Sequence, residues 1–115
     1  MNIKEFRIGN LLQENNTKEI IEVLKLSKDE LFLSGNFKRE WQAEPIPLTE
    51  EWLLKFGFKS DPYNDQYYLD DFKIECDKTK GFLDLWVVNC RVDLKTVHQL
   101  QNIYFALTGK ELKVK

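Results

Sequence analysis

Histidine, cysteine, proline and glycine are all scarce in this chain, which has one His, two Cys, three Pro and five Gly among 115 residues. Each scarcity excludes something. A structural zinc site takes four Cys or His ligands and a catalytic one about three. Here Cys76, Cys90 and His98 are the whole supply of thiol and imidazole, with no CxxC or HExxH spacing to cluster them. No metal or cofactor is expected, and the thiols read as small buried hydrophobes. With so little Pro and Gly, a linker-rich or low-complexity chain is excluded. No glycine-rich loop precedes a helical stretch, so phosphate-cradling motifs are absent. No apolar run approaches the roughly 20 residues needed to cross a bilayer. The opening Met1-Asn2-Ile3-Lys4-Glu5-Phe6-Arg7 has no apolar signal core. Reduced thiols and a cytoplasmic location are therefore expected.

What the chain does hold suits a folded domain. Hydrophobic residues make up 43% and charged residues 31%. Eight Phe, four Tyr and three Trp supply side chains that bury roughly 150–250 Å² each. The length fits one domain, or two small lobes at 1–45 and 46–115 that could share a core. The net charge of −2 is uneven: −1 over residues 1–48, −4 over 49–93 and +3 over 94–115. Nucleic-acid affinity rests largely on phosphate contacts from a basic stripe. The modest C-terminal excess of lysine allows a nucleic-acid partner, but the overall balance disfavours one.

Short strands separated by polar turns are expected first, over Arg7–Gln13, Glu19–Leu26, Leu31–Leu33 and Phe37–Ala43. Glu14–Lys18 is a turn, and Ser34-Gly35-Asn36 suits a hairpin. In the fourth strand Phe37, Arg39, Trp41 and Ala43 share a face. The predicted architecture is α+β, beginning with a small SH3-like barrel or a curled antiparallel sheet. Arg7-Ile8-Gly9-Asn10-Leu11-Leu12 resembles the first strand of SH3-like barrels. Pro45-Ile46-Pro47 marks the boundary between lobes.

A short helix follows, capped by Thr49, with Glu50 and Glu51 at its positive end and a Leu48–Leu53 staple. Gly57 suits the left-handed cap, with Phe58 folding back towards Leu53. Residues 61–66 read as loop. A three-stranded antiparallel meander is expected over Tyr67–Leu69, Phe72–Cys76 and Phe82–Arg91. A turn at Lys78–Gly81 would set Cys76 opposite position 83. The long C-terminal helix starts between Leu94 and Thr96, with Asp93 and Thr96 (in a Thr96-x-x-Gln99 box) as competing caps, and ends at Thr108. Leu94, Val97, Leu100, Ile103, Tyr104 and Leu107 form its apolar stripe, expected to lie on the meander. Glu111–Lys115 could add a short strand.

No nucleophile–base signature surrounds His98, and no GxSxG elbow occurs, so no catalytic residue is assigned. Asp61, Asp65, Asp70, Asp71, Asp77 and Asp84 suit solvated turns. An acidic active site would need two of them converging in a cleft. Trp41, Tyr67, Tyr68 and Trp86 could stack bases, though a core role fits them better without a basic groove. Beside the helix's apolar stripe stand His98, Gln101, Asn102 and Phe105. A bulky aromatic among uncharged polar groups matches the make-up of a binding surface. His98, Gln101 and Phe105 are thus the candidate binding residues, with burial under the N-terminal lobe as the alternative.

Two blocks are distinctive: Pro45-Ile46-Pro47-Leu48-Thr49-Glu50-Glu51-Trp52-Leu53-Leu54-Lys55-Phe56-Gly57-Phe58, and the run from Val97 through Gly109 to Leu112. With the Arg7–Leu11 opening, they resemble a family of small uncharacterised proteins encoded in bacterial genomes and their phages. The resemblance implies a bacterial or phage cytoplasmic setting and carries over no functional residue. The expectation is a non-enzymatic interaction module with a protein partner, an accessory protein of a phage or mobile element. A nucleic-acid-binding module using the β lobe and the basic C-terminal segment is the alternative. No membrane partner is expected.

Overall fold

The first sheet begins with a turn where the sequence pattern suggests a strand. In the computed structural model, which describes residues 6–26, 31–33, 43–61, 66–76, 85–87 and 92–115, Arg7–Asn10 folds on itself. Asn10 Oδ1 accepts from Arg7 N (2.7 Å), and Asn10 N donates to Arg7 O (3.0 Å). Gly9 (φ +95°) takes the left-handed conformation that this turn requires. Strand β1 therefore begins only at Leu11 and spans Leu11–Glu14.

β1 pairs antiparallel with β2 (Ile20–Leu26) and with β4 (Ala43–Pro45), and β2 pairs with β3 (Leu31–Leu33). The strand order is β3-β2-β1-β4. Among the described residues nothing joins β3 to β4, so the described strands form an open sheet and no closed barrel. Alternation decides its buried face: Leu12, Ile21, Val23 and Ala43 pack with Phe6. Pro45 is the last residue of edge strand β4, where a missing donor is tolerated. The expected Ser34–Asn36 hairpin and the face bearing Phe37, Arg39 and Trp41 lie outside the described residues.

Helix α1 (Glu50–Lys55) is built as its sequence signals suggest. Thr49 is the N-cap, its hydroxyl accepting from Trp52 N at 3.4 Å. Leu48 and Leu53 are both buried, as a staple requires. At the other end Gly57 N donates to Leu54 O and Phe58 N to Leu53 O, each at 3.0 Å. These paired bonds, with Gly57 at φ +95°, make a Schellman cap.

The expected meander is the centre of a larger antiparallel sheet, ordered β5-β6-β7-β8-β9. Its strands are β5 (Lys59–Asp61), β6 (Gln66–Leu69), β7 (Phe72–Cys76), β8 (Leu85–Val87) and β9 (Asp93–Leu94). The charged β5 is short and lies at an edge, where polar residues discourage further pairing. Cys76 pairs with Leu85 and not with position 83, and the expected strand positions 82–84 and 88–91 lie outside the described residues. A register shift of two residues leaves the side-chain alternation of a strand unchanged. Phe72, Ile74 and Val87 are buried, while Lys73 is exposed. Asp61 and Gln66, expected in the loop at 61–66, instead pair as strand residues, while 62–65, the turn at Lys78–Gly81 and Cys90 lie outside the described residues.

Helix α2 spans Val97–Thr108. Thr96 wins the competition for its cap through a reciprocal box: Thr96 N donates to Gln99 Oε1 (3.2 Å) and Gln99 N to Thr96 Oγ1 (3.4 Å). Leu94 thus belongs to β9 and not to the helical stripe. Val97, Leu100 and Tyr104 are buried and Ile103 partly so, but Leu107 is 48% exposed, so the stripe leaves the core at the last turn. Residues 111–115 form no strand. That segment is held by Leu112, which is buried, and by Lys115 N donating to Lys55 O at 2.8 Å.

The chain divides into two compact units, Met1–Ile46 with Thr96–Asn102, and Pro47–Lys95 with Ile103–Lys115. The first half of α2 is therefore counted with the first sheet, and not with the meander as its stripe suggested. No described helix is long and apolar enough to cross a membrane.

Candidate functional site

His98 and Gln101 serve the interior of the first unit. His98 is 2% exposed, its ring centroid 4.5 Å from that of Phe6. Gln101, also 2% exposed, uses its amide as a strand uses a peptide group. Its Oε1 accepts from Leu11 N (2.8 Å), and its Nε2 donates to Gly9 O (3.2 Å). Asn102 Oδ1 accepts from Arg7 Nε (2.9 Å) and from Asn10 Nδ2 (2.8 Å). Asn10 is itself buried, so this network answers polar groups that would otherwise be left dry. Phe105 belongs to the second unit and is 40% exposed. The three sequence-selected residues therefore do not form one exposed surface, because two of them face inward.

At the β1–β2 turn a second polar group gathers. Glu14 Oε2 accepts from Asn16 N (2.9 Å) and Thr17 N (2.5 Å), and the Thr17 backbone bond is the main reason its carboxyl is held below the ordinary glutamate range. Lys18, left-handed at φ +62°, pairs with Glu44, which also accepts from Gln13 Nε2 (2.9 Å). The Lys18 bond is the first cause of the lowered Glu44 carboxyl. These contacts fix a turn.

A concave surface with mixed chemistry lies in the second unit. A groove of about 350 Å³ runs between the β6–β7 turn and the end of α2. Leu69, Phe72, Tyr104 and Leu107 supply apolar walls, and Asp70, Asp71 and Lys110 supply charge. Tyr104 stands edge-on to Phe72, with centroids 5.1 Å apart at 71°. Phe72 meets Phe58 in the same manner at 6.1 Å. The groove wall is thus braced by a row of three aromatic rings. Asp70 adopts φ +53°, which Asp tolerates in tight turns. A neighbouring hollow of about 200 Å³ shares Leu69, Asp70 and Tyr104 with it and is lined beyond them by Leu112, Lys113 and Lys115.

Comparison with known proteins adds nothing to this geometry. No family model, curated protein or solved structure matches the chain. What the site can do must be argued from its own residues. Asp70 and Asp71 do reach one groove, but both are exposed. Neither has the desolvated setting on which a carboxylate acid–base pair relies. No group of three metal-ligating side chains occurs among the described residues. Tyr67 is buried and Tyr68 only partly exposed, so Tyr67 does not present a stacking platform. The groove escaped sequence reasoning because its walls come from a hairpin and a helix end that are distant in the chain. Only Asp70-Asp71, read as a turn, hinted at its rim.

Proposed function

We propose that this protein is a non-enzymatic binding module that engages another protein through the groove beside the end of α2. The observation that carries the reading is the exposure of Leu107 on a wall whose other members, Leu69, Phe72 and Tyr104, are apolar. Apolar surface left open beside a charged rim is the usual make-up of a protein-binding patch. Phe105, one of the residues selected from sequence, is also exposed, on a different face of the same helical end. An accessory role in a phage or mobile element, in a cytoplasmic setting, follows from the resemblance of the Pro45–Phe58 and Val97–Leu112 blocks. We also read the first sheet as a curled sheet of the SH3-like kind. The irregular register between Val23 and Lys25 supports such a curl.

Panning a random peptide display library on the intact protein and on Leu107→Asp tests the function. Enrichment on the wild type that the variant loses is expected. Mobility shifts with single- and double-stranded DNA and RNA at several salt concentrations run beside it. Salt-sensitive retention of nucleic acid with no peptide enrichment would transfer the function to the nucleic-acid alternative.

A further inference from the structure

We infer that the groove takes an extended segment of a partner protein in which an aliphatic side chain is followed by a lysine or arginine. This rests on the protein-binding reading and names the partner's chemistry. The chain's own residues 111–115 face the same walls across a neighbouring hollow. That segment has no helix or strand, yet Leu112 within it is only 3% exposed. Leu112 lines the hollow beside the groove together with Lys113 and Lys115, and that hollow shares Leu69, Asp70 and Tyr104 with the groove itself. The hollow is thus bounded on its far side by an irregular Glu-Leu-Lys-Val-Lys run whose leucine is buried and whose lysines are exposed along its rim. The other side keeps the same shared walls, adds the exposed Leu107, and carries a second carboxylate at Asp71. A segment of like chemistry would seat its aliphatic group between Leu69, Tyr104 and Leu107. Its cationic group would stand beside Asp70 and Asp71, while Lys110 on the same rim disfavours a second cation there.

The peptides enriched by display supply the probe. A labelled synthetic copy of the strongest binder is titrated by fluorescence anisotropy against the wild type, Leu107→Asp and the Asp70→Asn/Asp71→Asn double variant. Asparagine keeps the left-handed tolerance that position 70 needs, so the double variant is expected to fold, with circular dichroism as the check. The enriched sequences should pair an aliphatic residue with a nearby lysine or arginine. Affinity should fall about three- to tenfold in the double variant, the scale of one or two exposed charge pairs. Adding salt should weaken wild-type binding and leave the double variant nearly unaffected. Peptides that need Leu107 but show no basic preference, or that bind the double variant equally well, would overturn the assigned chemistry and leave protein binding standing. No enrichment sensitive to Leu107→Asp would remove both.

Discussion

Gln101 and Glu14 show how single polar side chains are used as backbone substitutes. Gln101 answers Leu11 N and Gly9 O at once, so replacing it leaves two peptide groups without partners. Gln101→Leu keeps similar bulk and should cost about 1–3 kcal/mol, the penalty for unsatisfied buried groups; urea denaturation measures it. Glu14 acts on the turn that follows it, accepting from Asn16 N and Thr17 N. Its carboxyl is held below the ordinary range in the folded chain, so the unfolded chain binds more protons at mildly acid pH. The resulting stabilisation is complete above the ordinary glutamate value of about 4.3 and is lost as pH falls through the lowered one. The Glu14→Gln variant should therefore be less stable than wild type at neutral pH, with the gap closing below about pH 4. A gap that stays constant across an acid titration of the melting temperature would show that the turn does not depend on this charge.

At the scale of elements, both helices announced themselves near their starts because capping is local. Thr49 with Glu50 and Glu51 marks α1, and Thr96 with Gln99 marks α2. Two competing caps for α2 could not be separated from sequence. Asp93 is drawn instead into β9, where it pairs with Trp86, a long-range event that no local pattern contains. The two helices also allow capping and packing to be compared in magnitude. Thr49→Ala should lower stability by about 0.5–2 kcal/mol through the lost cap. Leu100→Ala, at a fully buried position, should cost about 2–5 kcal/mol because a cavity remains. Equal losses for the two variants in the same denaturant series would mean that Leu100 is less enclosed than its burial indicates.

For the molecule as a whole, the exposed apolar groups at the end of α2 set the expected solution behaviour. Phe105 stands 40% exposed, unlike Tyr104 beside it. Phe105→Ala should leave the melting temperature nearly unchanged, within the roughly 0.5 kcal/mol typical of surface substitutions, while weakening peptide capture or self-association seen by sedimentation. A loss of stability as large as that of Leu100→Ala would make Phe105 a core residue and confine the binding surface to Leu107 and the groove. The wider fold was legible where patterns are short-ranged: Phe72 and Ile74 buried with Lys73 outward, and the Glu14–Lys18 turn. The two outer strands of the second sheet were not, because Lys59–Asp61 and Asp93–Leu94 are too short and polar to carry an alternating signal.

Sequence alone determined the elements whose causes lie within a few residues of one another: the Thr49 cap and Gly57 stop of α1, the alternation in β7, and the end of α2 at Thr108. It also determined that His98, Gln101 and Phe105 differ from the apolar stripe beside them. Only the tertiary structure decided which way they face. His98 and Gln101 turn inward because Phe6, Gly9 and Leu11, some 90 residues earlier in the chain, present a ring and backbone groups to them. Helical periodicity assigns a side chain to a face, but what covers that face depends on contacts between distant segments. The groove has the same origin, since Asp70 and Leu107 become neighbours only when a hairpin and a helix end are folded into one unit.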